Sequence, residues 1–166
     1  MRPLLLLDFD GPLNPYRAEE IPPGYVSHEI VEGEKSWVVL LNPQHGVELN
    51  ALGATFDLVW ATSWEHGANR LLGPLLGLPE LPVIVWPPRE PVSGVRRGSW
   101  KTPYVAEWAA GRPFAWVDDE LNRYDRFYLD DAHQAAHLAH RVEPHLGLTA
   151  PDFAVLRAWA QSGSAA

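Results

Sequence analysis

The chain of 166 residues contains no cysteine. Neither a disulfide framework nor a metal site with thiolate ligands can therefore form, and this absence is typical of a cytoplasmic protein. Long apolar runs are also missing near the N-terminus, where four leucines at 4–7 end at Asp8. Four residues are too few for the hydrophobic region of a signal peptide or for a membrane span. We therefore interpret this run as a buried strand and expect no membrane partner.

Positive charge is scarce, since 13 lysines and arginines face 21 acidic residues and the formal net charge is −8. Proteins that bind duplex nucleic acid normally present a basic face, so we expect no duplex DNA footprint. A substrate with one phosphate, held by a metal ion and a few cations, remains compatible with this charge. An apolar share of 46% with 20% charged residues is that of a globular protein, and the length predicts a single domain over residues 1–166.

Short apolar segments alternate with helical patterns, which predicts an α/β fold of Rossmann-like type with a parallel sheet covered by helices. We expect about five strands, at residues 4–9, 56–61, 82–86, 114–117 and 138–142. Helical patterns lie at 46–52, 65–76, 102–110, 119–127, 130–136 and 153–161. A β-hairpin with strands at 25–31 and 36–41 is predicted within an insertion of about residues 15–54, which would form a small cap after the first strand.

Three of the predicted strands end in a pair of polar residues. These pairs are Asp8 and Asp10, Thr62 and Ser63, and Asp118 and Asp119. The carboxyl ends of parallel strands line the ligand crevice of an open sheet, and Lys101 precedes a predicted helix close to the same edge. Each pair alone is more often a turn or a helix cap. Their joint occurrence, each at its own strand end, favours a catalytic site.

This combination resembles the haloacid dehalogenase (HAD) superfamily of phosphatases. The resemblance rests on an apolar run followed by Asp-Phe-Asp-Gly, a second strand ending at Thr62, Lys101, and a later strand ending in Asp118-Asp119. A narrower resemblance is to the HAD-like domains of Swiss Army Knife RNA repair proteins. The segments that carry it are 10–15, 60–66 and 111–119, which read Asp-Gly-Pro-Leu-Asn-Pro, Trp-Ala-Thr-Ser-Trp-Glu-His and Gly-Arg-Pro-Phe-Ala-Trp-Val-Asp-Asp.

The resemblance implies a phosphomonoester hydrolase in which Asp8 is the nucleophile and forms an aspartyl-phosphate. Asp10 would protonate the leaving oxygen and then accept a proton from the attacking water. Thr62 would donate a hydrogen bond to a phosphoryl oxygen, with Ser63 as the alternative. Lys101 would balance charge in the transition state.

The resemblance also implies a magnesium ion, because two aspartates facing a phosphate would otherwise repel it. Magnesium prefers oxygen ligands and keeps several of its waters. The Asp8 carboxylate, the backbone carbonyl of Asp10 and the Asp118 carboxylate would bind it. Asp119 would be a further ligand or would support the others.

Arg96 and Arg97 form the densest positive run in the chain, and they precede Lys101. They are either a solvated loop or a site for a second phosphate or a nucleic-acid backbone. Trp64 and Trp100 are able to stack on a base. Because the insertion is too short for a folded lid, the open site would suit the end of a polymer, which predicts single-stranded RNA or DNA ends as partners.

Other functions stay open on the sequence alone. A phosphatase acting on small molecules, such as nucleotides or sugar phosphates, would use the same residues. A phospho-receiver or a non-catalytic phosphate-binding module is less favoured, because the Asp-x-Asp pair opens the chain and no catalytic position is replaced.

Three histidines have the spacing of a shared helical face, at positions 133, 137 and 140. The spacing would allow zinc binding, but no glutamate accompanies them in a His-Glu-x-x-His arrangement. We therefore interpret His133, His137 and His140 as part of a polar helix face.

Overall fold

The computed structural model describes residues 1–88 and 97–163. In chain order the strands are β1 (Leu4–Leu7), β2 (Val26–Glu32), β3 (Lys35–Leu41), β4 (Asp57–Trp60), β5 (Phe114–Asp118) and β6 (His137–Arg141). The helices are α1 (Pro43–Leu52), α2 (Thr102–Ala109), α3 (Arg123–Ala132) and α4 (Ala150–Gly163). A π-helix, Ala68–Leu72, and a 3₁₀ helix, Gly73–Leu76, lie between β4 and α2.

Four strands form a parallel sheet in the order β4-β1-β5-β6. The central strand β1 pairs with β4 and β5 in a level register, so that Leu7 lies opposite Trp60 on one side and Val117 on the other. This register brings the ends of all three strands to one edge of the sheet. The predicted α/β fold with a helix-covered parallel sheet is confirmed.

Helices cover both faces of the sheet, and the side chains of the strands alternate between the two layers. Leu5 and Leu7 face the layer that contains α1, α4 and the hairpin of β2 and β3. Leu4 and Leu6 face the layer that contains α2 and α3. All four leucines are buried, which explains why this strand has a continuous apolar run instead of alternating polarity.

The segment 82–86 is not a strand of this sheet, in contrast to the sequence prediction. Val83 makes one isolated bridge to Trp60 at the outer edge of β4. Pro82 has no N–H to donate, and the N–H of Trp86 donates to the side chain of Glu65 at 3.0 Å instead of to a neighbouring strand. Two backbone hydrogen bonds form the bridge, from Trp60 N–H to Pro82 and from Ile84 N–H to Trp60, both at 2.9 Å, and the pairing does not continue to Trp86.

Three predicted helices also differ from the structure. Of the one predicted at 130–136, only residues 130–132 are helical, and they form the end of α3. The pattern at 65–76 becomes the π-helix and the 3₁₀ helix, because Pro74 removes a backbone donor and interrupts regular bonding. The helix predicted from residue 119 begins at Arg123, since Asn122 caps it in a reciprocal capping box with Asp125. Residues 119–121 consequently remain outside the helix, at the edge of the sheet.

The predicted helical face of three histidines was wrong. His133 has an extended backbone and ends α3, whereas His137 and His140 lie on β6. The side chain of His137 contacts Asp130 and that of His140 contacts Asp152. The three side chains therefore do not share one face of a helix.

No helix in the described ranges 1–88 and 97–163 combines the length and the apolar character that crossing a membrane requires.

We predict that His45 makes the fold sensitive to acid. Its side chain is buried, its Nε2 lies 2.8 Å from the carbonyl oxygen of Leu148, and burial lowers its pKa. Below about pH 6.5 the unfolded chain binds a proton here that the folded chain does not bind. The free energy of unfolding should therefore decrease as the pH is lowered below this value. The decrease for this group is up to about 1.4 kcal/mol per pH unit.

The measurement is urea denaturation at several values between about pH 7.5 and about pH 5.5. His45→Gln retains a hydrogen-bond donor but does not titrate, so its stability should depend less steeply on pH than that of the wild type. Equal slopes in the two proteins would contradict the assignment.

Candidate active site

The edge at which β1, β4 and β5 end contains an open cavity of about 370 Å³. The backbone continues to pair just beyond the strands, since Asp8 N–H donates to Val117 at 3.0 Å and Ala61 N–H donates to Leu7 at 2.8 Å. These bonds fix the residues that follow each strand. The cavity is lined by Asp8, Asp10, Tyr16, Ser63, Trp100, Lys101, Asp119 and Glu120.

A buried lysine connects two of the strand ends. Lys101 is 3% exposed, and its Nζ lies 2.7 Å from Asp8 Oδ2 and 2.7 Å from Asp118 Oδ2. The other oxygen of Asp8 accepts the N–H of Phe9 at 2.7 Å, and that of Asp118 accepts the N–H of Glu120 at 2.9 Å. Every oxygen of the two carboxylates therefore has a donor, which holds both side chains in fixed orientations.

The site carries more negative than positive charge. Burial and then the neighbouring Asp8 carboxylate raise the pKa of Asp118, and burial also raises the pKa of Asp10 and of Asp119. Burial opposes the charge of Lys101, but Asp8 and Asp118 outweigh it and raise the pKa of Lys101. One ammonium thus faces four carboxylates, and this imbalance favours binding of a further cation.

Three of these carboxylates fit a divalent metal ion. Asp8, Asp118 and Asp119 each offer an oxygen, and the three oxygens lie within 4.8 Å of one another. Ligand oxygens of an octahedral magnesium ion are about 3.0 Å apart when adjacent and about 4.2 Å apart when opposite, so the three carboxylates would have to move closer together around an ion. An all-oxygen donor set suits a hard cation such as Mg²⁺. These residues could hold the metal together with waters.

Both oxygens of the Asp10 side chain accept hydrogen bonds. Asn14 Nδ2 donates to Oδ1 at 2.8 Å, and Trp64 Nε1 donates to Oδ2 at 2.9 Å. Asn14 also accepts the N–H of Leu40 on β3 at 2.9 Å. The ring of Trp64 packs edge-to-face against the ring of Trp37, which also lies on β3, with centroids 5.2 Å apart. Two separate routes therefore connect Asp10 with the hairpin.

The two residues predicted at the end of β4, Thr62 and Ser63, differ in their exposure to solvent. Thr62 is 0% exposed, and its Oγ1 accepts the N–H of Trp64 at 3.3 Å. Ser63 is exposed and lines the cavity. Of the two hydroxyls, that of Ser63 is the one open to a substrate in this arrangement.

The residues predicted to bind substrate lie in different places. Arg96 lies outside the described residues. Arg97 is exposed, and its guanidinium lies over the ring of Tyr124 at 5.7 Å. Trp64 is half-buried with its N–H donated to Asp10, so stacking on a base stays a prediction for this side chain. Trp100 lies in the wall of the cavity.

Two residues of the cavity wall were not found by sequence reasoning. Tyr16 reaches the site from a turn-rich segment and donates its hydroxyl to Asp119 Oδ2 at 3.0 Å. Glu120 follows the predicted Asp118-Asp119 pair. Nothing in the pattern around Tyr16 distinguishes it from a surface tyrosine. Asn14, by contrast, belongs to the segment 10–15 that carries the narrower resemblance.

A helix-covered parallel sheet, with an Asp-x-Asp pair after its first strand and a lysine and a second acidic pair at the same edge, is the arrangement of a HAD-type domain. A family model described as the HAD domain in Swiss Army Knife RNA repair proteins matches residues 4–153, and the chain belongs to this family. The match includes the whole parallel sheet, the hairpin and the candidate site. Neither the curated proteins nor the solved structures contain a significant match. Family membership supports a phosphatase or hydrolase as the general class of activity.

We predict that Gly11→Ala disturbs this site. Gly11 has a φ of +92°, and a Cβ placed on it would lie 2.5 Å from the Cγ of Asp119. The left-handed backbone alone costs an alanine about 1–2 kcal/mol. Moving Asp119 should add about 1–3 kcal/mol, the usual cost of overpacking.

Gly111→Ala is the matched control, because Gly111 has a φ of +77° and nothing within 4 Å of an added Cβ. Thermal or urea unfolding should show a clearly larger loss for Gly11→Ala than for the control. Addition of Mg²⁺ should raise the melting temperature of the wild type and of the control by similar amounts. It should raise the melting temperature of Gly11→Ala by less. Equal losses in both variants would show that the contact with Asp119 is unimportant.

Proposed function

We propose that the protein is a magnesium-dependent phosphomonoester hydrolase that acts through an aspartyl-phosphate on Asp8. The observation that carries this proposal is the arrangement of Asp8 at the base of an open cavity, with Lys101 on one oxygen and with Asp118 and Asp119 close enough to share a cation. A nucleophilic carboxylate, an ammonium and an acidic metal-binding set are the groups that phosphoryl transfer requires.

The proposed reaction has two steps. The Asp8 carboxylate attacks phosphorus while the bond to the leaving oxygen breaks, and Asp10 gives that oxygen a proton. Asp10 then removes a proton from a water molecule, which attacks the aspartyl-phosphate, releases inorganic phosphate and restores Asp8. Lys101 offsets charge in both steps, and Ser63 or Thr62 donates to a phosphoryl oxygen. A bound Mg²⁺ would reduce the repulsion between the phosphate and the carboxylates.

The substrate that we favour is the phosphorylated end of a single-stranded nucleic acid, RNA in particular. Support comes from the family, whose description names RNA repair proteins, and from the open cavity with the exposed hydroxyl of Ser63 at its wall. A small nucleotide or sugar phosphate is the second candidate, because a cavity of about 370 Å³ is large enough for a small ligand.

The first test is phosphate release from an aryl phosphate. Activity should need Mg²⁺ and should disappear with a chelator. Asp8→Asn should lower the rate by at least about a thousandfold, because an amide cannot accept the phosphoryl group. Asp131→Asn, at an exposed position on α3, is the matched control and should behave like the wild type. If Asp8→Asn, freed of contaminating phosphatase, retains more than about a tenth of the activity, Asp8 is not the nucleophile.

The role of Asp10 predicts a dependence on the leaving group. Asp10→Asn should lower kcat/KM for an alkyl phosphate by about a hundredfold to ten-thousandfold, and much less for an aryl phosphate with an acidic phenol. Trp64→Phe keeps an aromatic ring but removes the hydrogen bond to Asp10. Its kcat/KM should also fall more for the alkyl than for the aryl phosphate, by about tenfold to a hundredfold, the value of a hydrogen bond to a charged group.

Trp37→Phe is the control for this comparison, since Trp37 packs on Trp64 without contacting Asp10 in any described hydrogen bond. Because kcat/KM reports the steps up to formation of the aspartyl-phosphate, a purely structural effect would lower it equally for both substrates. Equal losses for alkyl and aryl phosphates in Trp64→Phe would therefore exclude a positioning role for its N–H.

A further inference from the structure

The exposed side of α3 carries aromatic and basic side chains together. Phe127 is 64% exposed, and Tyr124 and Arg123 lie on the same side of the helix at spacings of three or four residues. Arg126 is exposed on the same helix, and Arg97 reaches the ring of Tyr124 from the preceding loop. We call these five residues the α3 surface.

The arginines of the α3 surface are not neutralised by acidic partners. Over residues 1–88 and 97–163, ion pairs engage Arg2, Arg70, Arg112, Arg141 and Arg157, and none includes an arginine of the α3 surface. The helix also carries two exposed acids, Asp130 and Asp131, but these lie at its C-terminal end, whereas Arg123 and Arg126 lie in its N-terminal part. In a chain with a formal charge of −8, a polyanion would therefore be attracted to the N-terminal part of α3.

The guanidinium groups are placed on an aromatic ring. The carbon of the Arg97 guanidinium lies 5.7 Å from the centroid of Tyr124, and that of Arg123 lies 4.9 Å from it. Arg123 also donates to the Tyr124 hydroxyl at 2.9 Å. These contacts hold the arginine side chains in place, so that less conformational entropy is lost when they bind phosphate.

Asp125 fixes the α3 surface relative to the cavity. It accepts hydrogen bonds from the N–H of Ser99 at 2.7 Å and from the hydroxyl of Thr102 at 2.6 Å, and these residues flank Trp100 and Lys101 of the site. Tyr124 follows Glu120 of the cavity wall by four residues, which span at most about 14 Å. A strand whose end occupies the cavity would therefore reach the α3 surface within a few nucleotides.

We propose that the α3 surface binds the body of a single-stranded nucleic acid whose phosphorylated end enters the cavity. This proposal rests on the proposed function and names the surface that would hold that substrate. Arginines would contact backbone phosphates, and the exposed ring of Phe127 would stack on a base, while the half-buried Tyr124 holds Arg97 and Arg123 in place. Exposed arginine and aromatic side chains also occur at protein interfaces. The unpaired positive charge favours a polyanion over a protein partner.

The first experiment measures binding without turnover. A fluorescent oligouridylate without a terminal phosphate is titrated with the full chain at several salt concentrations, and its anisotropy is followed. The double variant Arg97→Ala/Arg123→Ala should weaken binding by at least about tenfold and should reduce the slope of log K against log salt by about 0.7 for each phosphate that is no longer bound. The double variant Arg70→Ala/Arg157→Ala removes the same charge elsewhere and should show a smaller change in affinity.

The second experiment measures turnover of a phosphorylated oligonucleotide and of an aryl phosphate. Phe127→Leu should lower kcat/KM for the oligonucleotide by about fivefold to a hundredfold, the value of one stacked base. The aryl phosphate should be hydrolysed at the wild-type rate. Phe127→Tyr retains an aromatic ring and should remain close to the wild type with both substrates. Unfolding curves show whether a variant is folded, and the two Phe127 variants differ in whether they keep the ring.

The outcomes separate this proposal from the proposed function. Oligonucleotide binding that depends on the α3 surface, without any phosphatase activity, would support the surface and refute the phosphatase. Phosphatase activity on a 3′- or 5′-phosphorylated oligonucleotide that is unchanged in the α3 variants would refute the surface alone. Failure of the wild type to bind the oligonucleotide would also refute it, and binding of a protein at α3 instead would count against it.

Discussion

The ammonium of Lys101 between two buried carboxylates is the constraint on which the site depends. Asp8 follows β1 and Asp118 ends β5, so their carboxylates meet only because these strands are paired in register. Without a cation the two buried charges would repel each other, and burial would favour their neutral forms. Lys101, which precedes α2, thus joins two strands of the sheet to the helical layer that covers them. The same contact supplies positive charge where phosphoryl transfer would need it.

Much of the fold was predictable because the sheet is buried on both faces. Continuous apolar runs such as that of β1 distinguish buried parallel strands, and three of them end in polar residues. The acidic positions followed from those strand ends. The topology also placed Lys101 near that edge, but its direct contacts with Asp8 and Asp118 were not predictable, because no local pattern pairs a lysine with an aspartate 93 residues away in the chain. The family match includes each of these positions.

The remaining features depend on tertiary contacts that leave no periodic pattern. The segment around Val83 has the composition of a strand, but side-chain acceptors such as Glu65 compete for its backbone donors. Tyr16 lies in a loop and contacts Asp119, which is 103 residues further along the chain. The spacing of the three histidines was compatible with a helix, but α3 ends at His133 and the chain enters β6 instead. In each case a contact distant in sequence outweighs a local preference.

The two routes from Asp10 to the hairpin have a consequence for changes in the hairpin sequence. Asn14 and Trp64 each donate a hydrogen bond to the Asp10 carboxylate. Asn14 also contacts Leu40 of β3, and Trp64 also contacts Trp37 of β3. An insertion or a changed register in β3 would shift both donors together. A substitution in β3 is therefore able to change the surroundings of the Asp10 carboxylate although β3 does not line the cavity.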